Sequence, residues 1–327
     1  MGNTIEEMSP EGLELDEATV RQQFSDLLTA DGRPLSQIAI EAGVAYATLS
    51  AWRAGTYKGR NDRIAAQVHS WMVTREARKR TRVAVPREPK FQQTPTASAM
   101  LDVLEAAHTL PDMAVIAGSA GIGKTTTAKW YQRRAANVWL VTMEPSYSTM
   151  GSVLSAIAEA VGISPTNSTA RTSDLIRRRL VGTGGLLIVD EAQNLSAAAI
   201  DQIRTFHDRA EIGIALVGNE TVAARFGRDR LSMEYAPLFS RIGQKFRQKS
   251  LTAKDLTILI DAWELEDDGA RGVARKVGKM PGAARLMGKV LKLAFLRANN
   301  DGRDKPVQAD VEAAWDQLGN RVEGGAA

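Results

Sequence analysis

Apolar residues recur three or four positions apart between Ala18 and Val73, through "RQQFSDLLTA", "LSQIAIEAG", "AYATLSAWRAG" and "NDRIAAQVHSWMV". That period puts them on one face of each helix and predicts a small all-α domain over 18–73. The pattern breaks in "KRTRVAVPREPKFQQTPTA", where prolines and charges predict a basic linker over 74–95. From residue 96 short apolar runs alternate with amphipathic segments. Helix "ASAMLDVLEAAHTL" leads to strand "MAVIA", and further strands are read at "VWLVT", "GLLIVD", "GIALVG" and "KFRQKSL". Helices "KTTTAKWYQRRA", "TMGSVLSAIAEAVG", "TSDLIRRRLVG", "AAAIDQIRTFHDRA" and "ETVAARFG" fall between them. The alternation predicts an α/β core over 96–250, a parallel sheet with helices on both faces. After Leu251 the strand pattern ends, and four short helices are predicted over 251–320, followed by a frayed tail over 321–327.

Composition narrows the function classes. The 327 residues include no cysteine, which excludes disulfides, zinc–thiolate sites and thiol catalysis. Three scattered histidines, His69, His108 and His207, suggest no metal cluster. No run approaches the ~20 apolar residues of a membrane span. The acidic start lacks the apolar core of a signal peptide, so a cytoplasmic protein with no membrane partner is expected. Net charge is only +4, but it is unevenly placed. Residues 1–17 carry six carboxylates and no Lys or Arg, and read as an acidic, disordered tail. Residues 75–90 carry seven basic side chains against two acidic ones, which suits a polyanion or a solvated linker.

The sharpest chemistry lies at "GSAGIGKT", residues 118–125, directly after a predicted strand. Gly118, Gly123, Lys124 and Thr125 fill every fixed position of the G-x-x-x-x-G-K-[ST] phosphate loop. The backbone from Gly118 through Ser119, Ala120, Gly121, Ile122 and Gly123 would surround phosphate oxygens. Lys124 would neutralise the β- and γ-phosphates of ATP, Thr125 would ligate Mg²⁺, and Thr126 continues the cradle. A second strand, "LLIVDE", delivers Asp190 and Glu191 to the sheet edge where α/β folds bind ligands. Asp190 is expected in the Mg²⁺ shell and Glu191 as the group that polarises attacking water. Asn219, ending "IALVGN", could orient that water. Arg241, in "PLFSRIG", could enter a neighbouring subunit's site, with Arg225, Arg228 and Arg230 as competitors. Arg285, in "MPGAARLM", could sense the γ-phosphate from the C-terminal helices.

This set resembles the AAA+ ATPases, with their two Walker motifs, sensors, arginine finger and helical lid; the resemblance covers about residues 96–320. It implies a P-loop AAA+ core followed by a lid.

Within the N-terminal helices, "SQIAIEAGVAYATLSAWRAG" has the spacing of a helix-turn-helix and resembles the phage-repressor type. Ile38, Val44, Leu49 and Trp52 would form its core, with Ala39 at the crossing and Gly43 in the turn. Tyr46, Ala47, Ser50 and Arg53 would then face the major groove. A helical hairpin that only docks protein is the alternative. Few long polar side chains occupy that face, which argues against sharp sequence specificity. The order of parts resembles the transposition B proteins of the bacteriophage Mu type. That resemblance implies a DNA-stimulated ATPase in a bacterial host's cytoplasm, forming ATP-dependent helical filaments on double-stranded DNA. The filament would present target DNA to a transposase of the DDE class, and hydrolysis would disassemble it. Lys129, Arg133, Arg134, Arg171, Arg177, Arg178 and Arg179 could then line a channel for DNA phosphates, or be solvated helix faces. A helicase loader and a nucleotide-gated helix-turn-helix transcription regulator are the rival readings.

Overall fold

Asp16 accepts hydrogen bonds from the amides of Ala18 and Thr19 and so caps the first helix, α1 (Glu17–Asp31). In a computed structural model the described residues are 16–84, 88–225 and 241–319. The tails 1–15 and 320–327, and with them most of the acidic segment, lie outside these residues, as do Arg228 and Arg230. The chain divides into two compact units, Met1–Val85 and Pro86–Ala327.

The N-terminal unit continues with α2 (Leu35–Ala42), α3 (Tyr46–Arg53) and α4 (Asn61–Ala84). Gly43 takes φ +68° between α2 and α3, and its N–H caps the carbonyls of Ala39 and Ile40. A side chain would be strained there, which is why this tight turn uses glycine. Ile38, Val44, Leu49 and Trp52 are all buried, joined by Phe24 of α1 and Val68 of α4. The expected linker begins later than its charges suggest, because α4 runs on to Ala84. Between Arg60 and Val85 there is neither Gly nor Pro, and Arg, Lys and Ala are good helix formers; Pro86 is the first breaker.

The second unit opens with α5 (Pro95–Thr109), capped by Thr94. It continues through β1 (Met113–Gly118), α6 (Lys124–Arg134), β2 (Val138–Thr142), α7 (Met150–Ala160), α8 (Thr169–Leu180) and β3 (Leu186–Asp190). Next come α9 (Ala197–Ala210), β4 (Gly213–Gly218), α10 (Glu220–Arg225) and β5 (Ile242–Gln248). All pairings are parallel, in the order β2-β3-β4-β1-β5. Side chains alternate across β1: Met113 and Val115 enter a core with α7, α8 and α9, while Ala114 and Ile116 meet α5 and α6. β5 pairs three residues earlier than its sequence suggested; Ile242 lies beside Met113 and most of its later side chains face outward, as suits an edge strand.

Four helices complete the unit: α11 (Ala253–Asp261), α12 (Asp268–Gly278), α13 (Ala283–Asn300) and α14 (Gln308–Gln317). They bury Leu256, Val277, Met287 and Leu291 in a core of their own, and Ile122 of the phosphate loop is part of it. Among the described residues no helix is long and apolar enough to cross a membrane.

Candidate functional site

β1 lies between β4 and β5; the chain leaves β1 toward β2 at the far edge and leaves its neighbour β4 toward β5, so the connections diverge at the β1–β4 pair. The gap beyond the C-terminal ends of such a pair is where open α/β sheets bind ligands. Here it holds Gly118 and the loop leading into α6.

Lys124 Nζ donates to the carbonyls of Gly118 (2.7 Å) and Ser119 (2.9 Å) and so braces the loop. Burial pushes its ammonium below the usual lysine range, a tendency opposed by Glu191 and Asp190 and reinforced by Arg285. Asp190, buried at the end of β3, accepts from Thr125 Oγ1 at 2.7 Å and from the Glu191 amide at 3.0 Å. Burial raises its carboxyl above the ordinary range, and the Thr125 bond only partly offsets this.

Glu191 sits at φ +55°, a left-handed conformation that costs a non-glycine residue about 1 kcal/mol and turns the chain sharply out of β3. Gln193 Nε2 donates to the Glu191 carboxylate, and Gln193 Oε1 accepts from the Asn219 amide at 3.2 Å. Gly218 makes room for this bridge, since a Cβ there would fall 2.5 Å from Gln193 Oε1. Sequence reading missed Gln193. Its only signal was its place two residues beyond Glu191, in the turn that leaves the strand.

The C-terminal helices touch the loop directly. Ala284, in the first turn of α13, donates its N–H to the Gly121 carbonyl at 3.2 Å. Gly121 has φ +84°, and a Cβ on it would lie 1.9 Å from the Gly282 carbonyl oxygen, so only glycine permits this approach. Arg285 is thereby brought to a cleft of about 450 Å³ that Lys124, Thr125, Glu191, Gln193 and Asn219 also line. A second, more apolar cavity of about 380 Å³ adjoins it, walled by Phe91, Trp263 and Met287. Sequence reading did not anticipate that cavity. Its volume and apolar walls suit a flat ring system.

Other expected residues lie elsewhere. Arg241 is at the N-terminal end of β5, away from the phosphate loop, and pairs with Asp208 at 2.7 Å. Arg225 ends α10. Tyr46, Ala47 and Arg53 are exposed on α3, with Ser50 half-buried. The basic residues fall into two sets on opposite faces of the sheet. Lys129, Arg133 and Arg134 project from α6, and Arg171, Arg177 and Arg178 from α8. Arg177 and Arg178 both pair with Asp174, Arg134 stacks on Trp130, and Arg179 donates to the Val161 carbonyl.

The Thr125 hydroxyl and the Asp190 carboxylate suit a hard divalent cation, and a buried carboxylate with a raised pKa is one a cation would relieve. In the ligand-free chain that carboxylate's native pKa exceeds its unfolded value. Its contribution therefore favours folding below the ordinary carboxylate range and is lost as pH rises through the native value. Asp190→Asn is accordingly expected to raise the neutral-pH unfolding midpoint of the ligand-free second unit. Differential scanning calorimetry reads that rise. An equal or lower midpoint would contradict the electrostatic account.

Residues 108–226 match the family described as an AAA domain, and residues 240–318 match the family described as Mu B transposition protein, C terminal. The ATP-dependent target DNA activator B of Escherichia phage Mu is 30% identical over 285 residues, covering 86% of this chain and 90% of that protein. The Mu-like prophage FluMu DNA transposition protein B of Haemophilus influenzae is 35% identical over 255 residues, covering 77% and 88%. Among solved structures, the Aeropyrum pernix ORC2 protein in its ADPNP–ADP complexes superposes with a TM-score of 0.54 at 21% identity, covering 71% of this chain and 69% of that one. That likeness concerns the fold.

Proposed function

The chain belongs to the Mu B transposition protein family of AAA+ ATPases, and from that premise we propose that it assembles on DNA under the control of ATP. In this reading it binds duplex DNA with little sequence preference, forms a filament, and offers that DNA to a DDE transposase. Hydrolysis then releases it. The observation that carries the reading is the single cleft in which Lys124, Glu191, Asn219 and Arg285 meet.

The loop amides and Lys124 hold the triphosphate, and Arg285 lets the C-terminal helices respond to its last phosphate. Thr125 and Asp190 would hold Mg²⁺, which would supply charge neutralisation at the phosphates. Glu191, held by Gln193, accepts the proton of the attacking water while Asn219 orients it. Arg241 stands at the end of β5 remote from the phosphate loop, paired with Asp208, and in this reading it serves a neighbouring subunit's cleft, which would make turnover depend on assembly. The face of α3 with exposed Tyr46, Ala47 and Arg53 and half-buried Ser50 offers few base-reading groups.

The test is negative-stain microscopy of the full chain with plasmid DNA, with and without ATP. Filaments on arbitrary sequence only with ATP are expected. Closed hexamers or discrete dimers indifferent to DNA would sink the reading and favour a loader or an operator-bound switch. Because the two basic sets lie on opposite faces, one duplex meets one set per subunit, and the acid-paired α8 set is the weaker candidate. Replacing Lys129, Arg133 and Arg134 together by alanine is expected to lower the slope of log K against log salt by about 2–3. An unchanged slope would move the DNA path to another face.

A further inference from the structure

The two cavities of the nucleotide cleft meet at four shared residues, Glu88, Gly123, Thr126 and Ala284. A nucleoside triphosphate with its phosphates on the loop and its base in the apolar cavity must lay its ribose across that boundary. Of the four residues, Glu88 and Thr126 alone carry polar side chains. Glu88 is held from the lid: its Oε2 accepts from Lys292 Nζ of α13 at 2.8 Å. Its Oε1 lies over Gly288, 3.4 Å from where a Cβ would stand, and accepts no hydrogen bond from any described residue. A carboxylate with one oxygen anchored and the other open is an acceptor matched to a sugar diol, whose hydroxyls are donors.

We propose that Glu88 reads the ribose, accepting a hydrogen bond from its 2′- or 3′-hydroxyl and selecting ribonucleoside over deoxyribonucleoside triphosphates. This rests on the reading of the cleft as a triphosphate site. It also makes α13 responsive to the sugar, since Lys292 positions the carboxylate from that helix. A charged acceptor of this kind contributes about 1.5 kcal/mol, which is roughly tenfold in affinity.

The experiment is calorimetric titration of the full chain with ATP, 2′-deoxyATP, 3′-deoxyATP and tripolyphosphate, which has no sugar. The wild type is expected to prefer ATP about tenfold over at least one deoxy analogue. Glu88→Ala should bring that ratio within twofold, and Glu88→Gln, which keeps an acceptor oxygen, should retain part of it. Tripolyphosphate should bind the wild type and both variants within twofold of one another. A ratio unchanged in Glu88→Ala, or one that collapses instead in Thr126→Ala, overturns the assignment. So does a wild type that binds tripolyphosphate but does not distinguish the sugars. If neither ATP nor tripolyphosphate binds, the triphosphate reading has failed and takes the ribose assignment with it.

Discussion

Lys124→Ala is expected to weaken ATP binding at least 100-fold and with it to abolish ATP-dependent assembly on DNA. Two losses combine. The ammonium is the one lysine of the phosphate loop, and a charge-assisted contact to phosphate in a partly water-excluded cleft contributes about 1.5–3 kcal/mol. The same Nζ also braces the carbonyls of Gly118 and Ser119, so its removal loosens the loop that must present its amides to the phosphates. Because burial already disfavours the charged lysine, the acids Glu191 and Asp190 opposite it help keep it protonated. Titration calorimetry of the ligand-free variant with ATP checks this, with circular dichroism to show that the fold persists. ATP affinity within tenfold of the wild type would refute the role given to Lys124.

Glu191→Gln should separate binding from turnover. The amide keeps the size and reach of the carboxylate but cannot take a proton, so kcat should fall by about 10²–10⁴. ATP affinity should stay within about twofold, since Glu191 belongs to the water side of the cleft. Assemblies on DNA should then persist long after ATP is added. Single-turnover hydrolysis together with a binding titration gives both quantities. Hydrolysis at the wild-type rate would remove Glu191 as the proton acceptor.

What could be read from sequence alone follows a physical line. The positions of the Gly118–Thr125 loop and the Asp190–Glu191 pair were legible because each follows a short buried strand, and the fold joins them through the Thr125–Asp190 hydrogen bond. The helix-turn-helix core was legible too: Ile38, Val44, Leu49 and Trp52 follow helical spacing, and all four are buried. The apolar cavity was not legible. Its walls come from Phe91, Trp263 and Met287, far apart in the chain and indistinguishable from core residues until folding gathers them. Gln193 was missed because an amide in a turn has no pattern; its hydrogen bonds with the Glu191 carboxylate and the Asn219 amide are what show that it joins the two. Charge misled at two places. The arginines after Val73 looked like a solvated linker but continue α4, and the basic residues of α6 and α8, grouped by charge, are divided by the sheet.

Ile122 remains the least expected member of the phosphate loop, buried in the core of the C-terminal helices rather than pointing at solvent. With the Ala284–Gly121 hydrogen bond, it makes loop and lid one cooperative element. The loop cannot fray alone, because fraying would draw an isoleucine out of an apolar core. Its amides should therefore resist hydrogen exchange together with those of α11 and α13, and lose protection in the same opening event. Whatever steadies the loop also steadies helices that begin more than a hundred residues later in the chain.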